Sequence, residues 1–126
     1  GPIDQYFLQF DSETQLEFDT DLIPTGKKIT DNRFIEKHSL NEIFLDNSFE
    51  LVSNGKCVLS NDQFELKIIP DENYPILQVY TPDHRNSIAI ENLSGAPDNF
   101  NNGIGLLMLA PNNEYQFKTS YQLTTL

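Results

Sequence analysis

The sequence predicts an all-β class, an antiparallel β-sandwich. Three observations carry that expectation. Short runs alternate apolar and polar residues, as in Phe64-Glu65-Leu66-Lys67-Ile68 and from Tyr115 to Leu123, the period-2 signature of half-buried strands. Turn formers such as Ser60-Asn61-Asp62 and Pro111-Asn112-Asn113 punctuate those runs at short intervals. Nine Phe and five Tyr, with no Trp, favour strands over helices.

Taken in order, Tyr6 to Phe10 and Gln15 to Asp19 read as strands around a polar break at Asp11-Ser12-Glu13. Pro24-Thr25-Gly26 reads as a turn, Lys27 to Thr30 as extended, and Asp31 to Lys37 as a loop. Ser39-Leu40-Asn41-Glu42 fits a capping box and predicts one helical turn over 40–44. Phe49 to Val52 and Cys57 to Leu59 form a hairpin about Ser53-Asn54-Gly55. In Phe64 to Ile69, Phe64, Leu66 and Ile68 share one face, and Pro70 to Pro75 is a turn-rich connection.

Two strands follow in Ile76 to Gly95, where Leu77, Val79, Ile88 and Ile90 alternate and Glu91 closes the second. Asn92 to Gly103 is a long polar loop, a length that is usually functional or disordered. Ile104 to Ala110 is almost wholly apolar and predicts a strand buried on both faces, paired through Pro111-Asn112-Asn113 with Tyr115 to Leu123.

Length and charge bound the function. The 126 residues suggest one domain able to bury roughly two thirds of its unfolded surface. Gly1-Pro2 resembles a tag-cleavage remnant, which puts the domain at 3–126 and leaves open a start inside a larger protein. The net charge of −11 argues against nucleic acid or an anionic membrane surface as partner, since both need clustered cations. No apolar run approaches a membrane span and no signal peptide is evident, so a cytoplasmic location is expected. Cys57 is the single cysteine; it fits a reducing compartment and reads as a small buried residue.

Several chemistries are disfavoured. No G-x-S-x-G elbow marks a serine nucleophile. His38 and His84 alone are too few for zinc, and both read as loop residues. Asp98 to Gly103 fails as a calcium loop, because Phe100 takes a ligand position and Leu109 stands where the closing Glu belongs. Asn92-Leu93-Ser94 matches a glycosylation sequon by pattern only. Asp46, Tyr80 and Glu91 remain. By default Asp46 is a turn former, Tyr80 a core-edge aromatic and Glu91 a solvated strand end.

A resemblance gives these three a sharper reading. The segments Asp21-Leu22-Ile23-Pro24-Thr25-Gly26-Lys27, Leu45-Asp46-Asn47-Ser48-Phe49-Glu50-Leu51, Val79-Tyr80-Thr81-Pro82 and Ile88-Ala89-Ile90-Glu91-Asn92 follow in that order. The ending Leu109-Ala110-Pro111-Asn112-Asn113-Glu114-Tyr115 through Thr119-Ser120-Tyr121-Gln122-Leu123 completes the set. Together they resemble the C-terminal half of the aldose 1-epimerase (galactose mutarotase) family. The resemblance implies part of a larger antiparallel β-supersandwich. It also implies interconversion of the α and β anomers of a free hexose without cofactor or metal. Glu91 falls on the position of the glutamate that takes the C1 hydroxyl proton, Asp46 on the aspartate that binds sugar hydroxyls, and Tyr80 near the pocket wall.

The family's acid, in a His-x-Tyr-Phe motif, has no counterpart here: Tyr6-Phe7 is preceded by Asp4 at the histidine's place. The expectation is therefore a fragment with little epimerase activity alone, covered by the missing N-terminal half or by self-association. The rival readings are a non-catalytic carbohydrate-binding sandwich and a structural or interaction domain pairing through open edge strands.

Overall fold

In the computed structural model, described for residues 2–52 and 55–126, ten strands form two five-stranded antiparallel sheets. The strands are β1 (Phe7–Gln9), β2 (Thr14–Phe18), β3 (Pro24–Thr30), β4 (His38–Ser39), β5 (Asp46–Glu50), β6 (Cys57–Ser60), β7 (Phe64–Pro70), β8 (Ile76–Tyr80), β9 (Ala89–Leu93) and β10 (Thr119–Thr125). One sheet runs β10-β7-β6-β1-β4 and the other β3-β2-β5-β8-β9. The only α-helix among the described residues is one turn at Asn99–Asn102. None there is long and apolar enough to cross a membrane. The all-β sandwich expected from the alternating runs is the observed class.

The core lies between the sheets. Leu8, Cys57 and Ile68 of the first face Phe49, Leu77 and Val79 of the second, with Phe10, Phe34, Leu40 and Leu45 closing the ends. Phe10 stacks on Phe34 at 5.0 Å, and Phe49 meets Phe10 and Phe34 edge-on at 4.9 and 5.7 Å. Such pairs add about 0.5–1.5 kcal/mol each beyond their buried area. The alternation of Leu77, Val79 and Ile90 is the core side of the β8–β9 pair, with Val79 opposite Ile90.

The first strands differ from expectation at their joins. Pro24-Thr25-Gly26 is not a turn but opens β3. The reversal falls earlier, where the Asp19 carboxylate accepts the N–H groups of Asp21 at 2.8 Å and Ile23 at 3.1 Å and Leu22 takes a φ of 60°. The capping-box helix is absent. Ser39 Oγ accepts the Asn41 N–H at 3.1 Å, and Glu42 at φ 58° sends its N–H to Asp4 Oδ1 instead. The expected hairpin of Phe49 to Val52 with Cys57 to Leu59 does not form: β5 pairs with β2 and β8 in the second sheet and β6 with β1 and β7 in the first, so the chain crosses between sheets here rather than folding back. Ser53 and Asn54 of the expected turn lie outside the described residues.

Arg85 fastens this end of the sandwich. Its guanidinium donates to Asp4 Oδ1 at 2.6 Å, to Leu40 O at 2.7 Å and to Ile43 O, and it lies 4.5 Å above the Phe44 ring. Three chain segments meet at one cation, just outside the start of β5.

The C-terminal quarter departs most. Ile104 to Ala110 is no strand. Ile104 packs on Leu16 and Ile76, but Leu107, Met108 and Leu109 are exposed, because no sheet neighbour among the described residues lies beside them. Tyr115 to Lys118 is likewise outside the ladder: Phe117 leans on Tyr74 and Tyr115, and pairing with β7 starts only at Thr119.

Candidate functional site

The outer face of the second sheet carries the candidate residues. In β5 and β8, Asp46 pairs with Tyr80 and Ser48 with Gln78; in β8 and β9, Tyr80 pairs with Ala89 and Gln78 with Glu91. Paired residues share a face, so Asp46, Ser48, Tyr80, Gln78 and Glu91 all point away from the core. Tyr80 and Glu91 are diagonal neighbours, a spacing of roughly 7–8 Å. Glu91 and Asp46 lie two strands apart, roughly 10 Å, and two residues out of line.

Glu91 is not at the strand end, as the sequence suggested, but at the centre of β9, since pairing with β8 continues to Leu93. Its carboxylate is exposed and makes no ion pair among the described residues. Asp46 is also exposed at the first position of β5. Tyr80 keeps 44% of its surface, so it is an open aromatic face rather than a core-edge ring.

Gln78, which sequence reasoning missed, ties the group together. Its Nε2 donates to Asp46 Oδ1 at 3.0 Å, and its Oε1 accepts from the buried Ser48 hydroxyl. The amide therefore has a fixed sense, with its donor end toward Asp46. A period-2 count back from Tyr80 and forward from Asp46 reaches Gln78 and Ser48. The β5–β8 register that makes them neighbours is not readable from one sequence.

A strap of chain, Ser94 to Gly105, limits the face at its other end. Leu16, Ile76 and Leu93 of the same face are covered by Ala96 and Ile104. Gly95 and Gly105 cross so closely that a Cβ on Gly95 would stand 2.8 Å from Gly105 O. Lys28, on the β3 side of this face, is taken by Glu50 at 3.0 Å. The site end thus presents two carboxylates, an amide and a phenol.

The other expected or tested residues fall elsewhere. His38 lies in β4 of the first sheet, edge-on to Phe34 at 5.5 Å. His84 sits exposed in the β8–β9 connection, its Nδ1 accepting the Asn86 N–H at 3.0 Å. Asn92 points to the core side opposite Leu77, with its Oδ1 closed off and unbonded. Among the described residues no cluster of His, Cys, Asp or Glu could hold a metal ion. Surface hollows lie away from the carboxylates, one among Tyr6, Leu59, Phe64 and Ile88, another along Met108 to Tyr115. Asp46, Tyr80 and Glu91 stand on an open sheet.

Chemically, the arrangement offers a carboxylate that can accept a proton and a second, oriented by an amide, that can accept hydroxyl hydrogen bonds. Comparison with known proteins supplies a family. The model of a family described as aldose 1-epimerase matches residues 1–122. No curated protein matches the chain.

Proposed function

This chain belongs to the aldose 1-epimerase family, and from that premise we propose that it forms the base-bearing part of a sugar epimerase site. Glu91 takes the C1 hydroxyl proton of a cyclic hexose. The C1–O5 bond breaks, the ring oxygen receives a proton from an acid, and C1 becomes an aldehyde. Rotation about C1–C2 and the reverse steps give the other anomer, with no net change in protons. Asp46, held by Gln78, accepts hydrogen bonds from sugar hydroxyls, and Tyr80 lies against the sugar as a wall. No cofactor enters this scheme.

The observation that carries the reading is the shared register of β5, β8 and β9, which sets Asp46, Tyr80, Gln78 and Glu91 on one face. The charge of that face favours a neutral sugar over a phosphorylated one, because its carboxylates would repel a phosphate. General acid–base catalysis needs a second group near the ring oxygen. His38 and His84 both lie off this face. The acid therefore comes from further polypeptide, the N-terminal half of a complete sandwich, which would also wall the open sheet.

The test has two measurements on the chain. Optical rotation of freshly dissolved α-galactose or α-glucose should decay at the buffer rate. Monosaccharide titration should shift the NMR signals of Asp46, Gln78 and Glu91. Rapid mutarotation would overturn the absent acid, and shifts elsewhere, or none, would overturn the site. A preference for polysaccharide over monosaccharide would support the rival reading of a binding module.

A further inference from the structure

The site end of the β5–β8 pair closes on a side chain rather than on backbone. Antiparallel pairs alternate between hydrogen-bonded and non-hydrogen-bonded ones. Leu51 N donates to Pro75 O at 2.9 Å at one end of this register and Thr81 N to Leu45 O at 2.8 Å at the other. Leu45 and Thr81 are therefore a bonded pair, and Asp46 and Tyr80, the next pair in, a non-bonded one. The Asp46 N–H accordingly turns to Asn47 Oδ1 at 3.1 Å. The spacing of Asp46 and Tyr80 is inherited from the bonded pairs on either side, Leu45 with Thr81 and Asn47 with Val79.

The outer of those two pairs is irregular. In a continued ladder the Leu45 N–H would reach the Thr81 carbonyl; here it goes to the Thr81 hydroxyl at 2.7 Å. That hydroxyl in turn donates to Leu45 O at 3.4 Å. Pro82 follows, has no N–H to give, and turns the chain, its carbonyl accepting the Arg85 N–H at 3.0 Å. Thr81 is thus the last rung beside the candidate face, and both it and Leu45 are buried. Arg85 also holds Ile43 O through its guanidinium. Both tethers on the approach to Asp46 come from the segment that follows Tyr80.

We propose that Thr81 is a positioning residue for sugar binding: its hydroxyl fixes the spacing between Asp46 and Tyr80 and acts on the sugar only through them. The inference rests on the sugar reading of the outer face given above. It concerns a contact inside the sandwich, which further polypeptide over the open sheet would leave as it is. Loss of the hydroxyl leaves the Leu45 N–H buried and unpaired, a state the backbone escapes only by moving toward another acceptor. Asp46 and Tyr80, one residue in, have no backbone bond of their own to resist that movement. Gln78 fixes which way the Asp46 carboxylate faces; Thr81 fixes where the strand carries it.

The test compares Thr81→Val, which keeps the shape and removes the hydroxyl, with Thr81→Ser, which keeps the hydroxyl. Two readouts are taken on the full chain: nuclear Overhauser cross-peaks between the Tyr80 ring and the Asp46 β-protons, and galactose affinity by NMR titration. Thr81→Val should weaken those cross-peaks while the Phe49–Leu77 ones stay, and should lower affinity about tenfold through the misplacement. Thr81→Ser should keep both near wild type. Ser12→Ala removes another buried hydroxyl, one that donates to Thr14 O at 2.9 Å, and should lower stability without changing affinity. Should Thr81→Val fail to fold, Thr81→Ala is read in the same way. Unchanged cross-peaks, or weakened cross-peaks with wild-type affinity, overturn this proposal alone. A wild-type chain that binds no monosaccharide overturns the sugar reading and this proposal together.

Discussion

Gln78 stands directly opposite Glu91 in the β8–β9 ladder, with its amide donating to Asp46 Oδ1 at 3.0 Å on the other side. One side chain thus spans the interval between the two carboxylates. Replacing Gln78 with Leu removes the donor to Asp46 and leaves the buried Ser48 hydroxyl without its acceptor. The expected cost is about 1–3 kcal/mol in urea unfolding, from the unsatisfied hydroxyl. Monosaccharide binding should weaken further than Ser48→Ala weakens it, because only Gln78→Leu releases Asp46.

Acid should loosen the N-terminal end. The Arg85 hydrogen bond, aided by the Glu42 N–H, holds the Asp4 carboxyl below the usual carboxylate range. A lowered folded pKa contributes stability that is present above the unfolded value and is lost as pH falls through the folded one. Wild type should therefore lose stability relative to Asp4→Asn as pH drops below about 3.9, and should hold its advantage at pH 7. Thermal unfolding of the two proteins across that range checks this.

Cys57 should be chemically silent in the folded protein. Burial pushes its thiol up to about 12, so almost no thiolate exists at neutral pH. Alkylation should proceed only after urea unfolding; native-state labelling at the rate of a free thiol would contradict the burial. Cys57→Ser places a hydroxyl in the apolar core beside Ile68 and should cost about 1–3 kcal/mol.

The strap should be sensitive to a single methyl. A Cβ at Gly95 meets the Gly105 carbonyl at 2.8 Å, and backbone cannot swing aside as a side-chain end can. Gly95→Ala should cost about 1–3 kcal/mol and uncover Ile76 and Leu16. Hydrogen exchange should quicken in β8 and β2 near those residues while β6 and β7 stay unchanged.

The parts of this fold legible in the sequence were those fixed by local alternation. Leu77, Val79 and Ile90 face the core as their spacing requires, and Phe64 to Pro70 is a strand. Failures occurred where a longer-range partner decided the outcome. Ser39 and Glu42 look like a helix cap, but Glu42 answers to Asp4, far off in the chain. Ile104 to Ala110 has the composition of a central strand and no neighbouring strand to make it one. At the site, Asp46, Tyr80 and Glu91 could be singled out by resemblance. Gln78 needed the register, a property of three strands at once.

The strap also gives the outer face a direction. Asp46, Tyr80 and Ala89 lie toward its bare end, whereas Ile76 and Leu93 are roofed by Ala96 and Ile104. Under the proposed reading, a saccharide seated between the carboxylates should extend only away from that roof, and titration with disaccharides linked at opposite ends of the ring should show one accepted and the other refused.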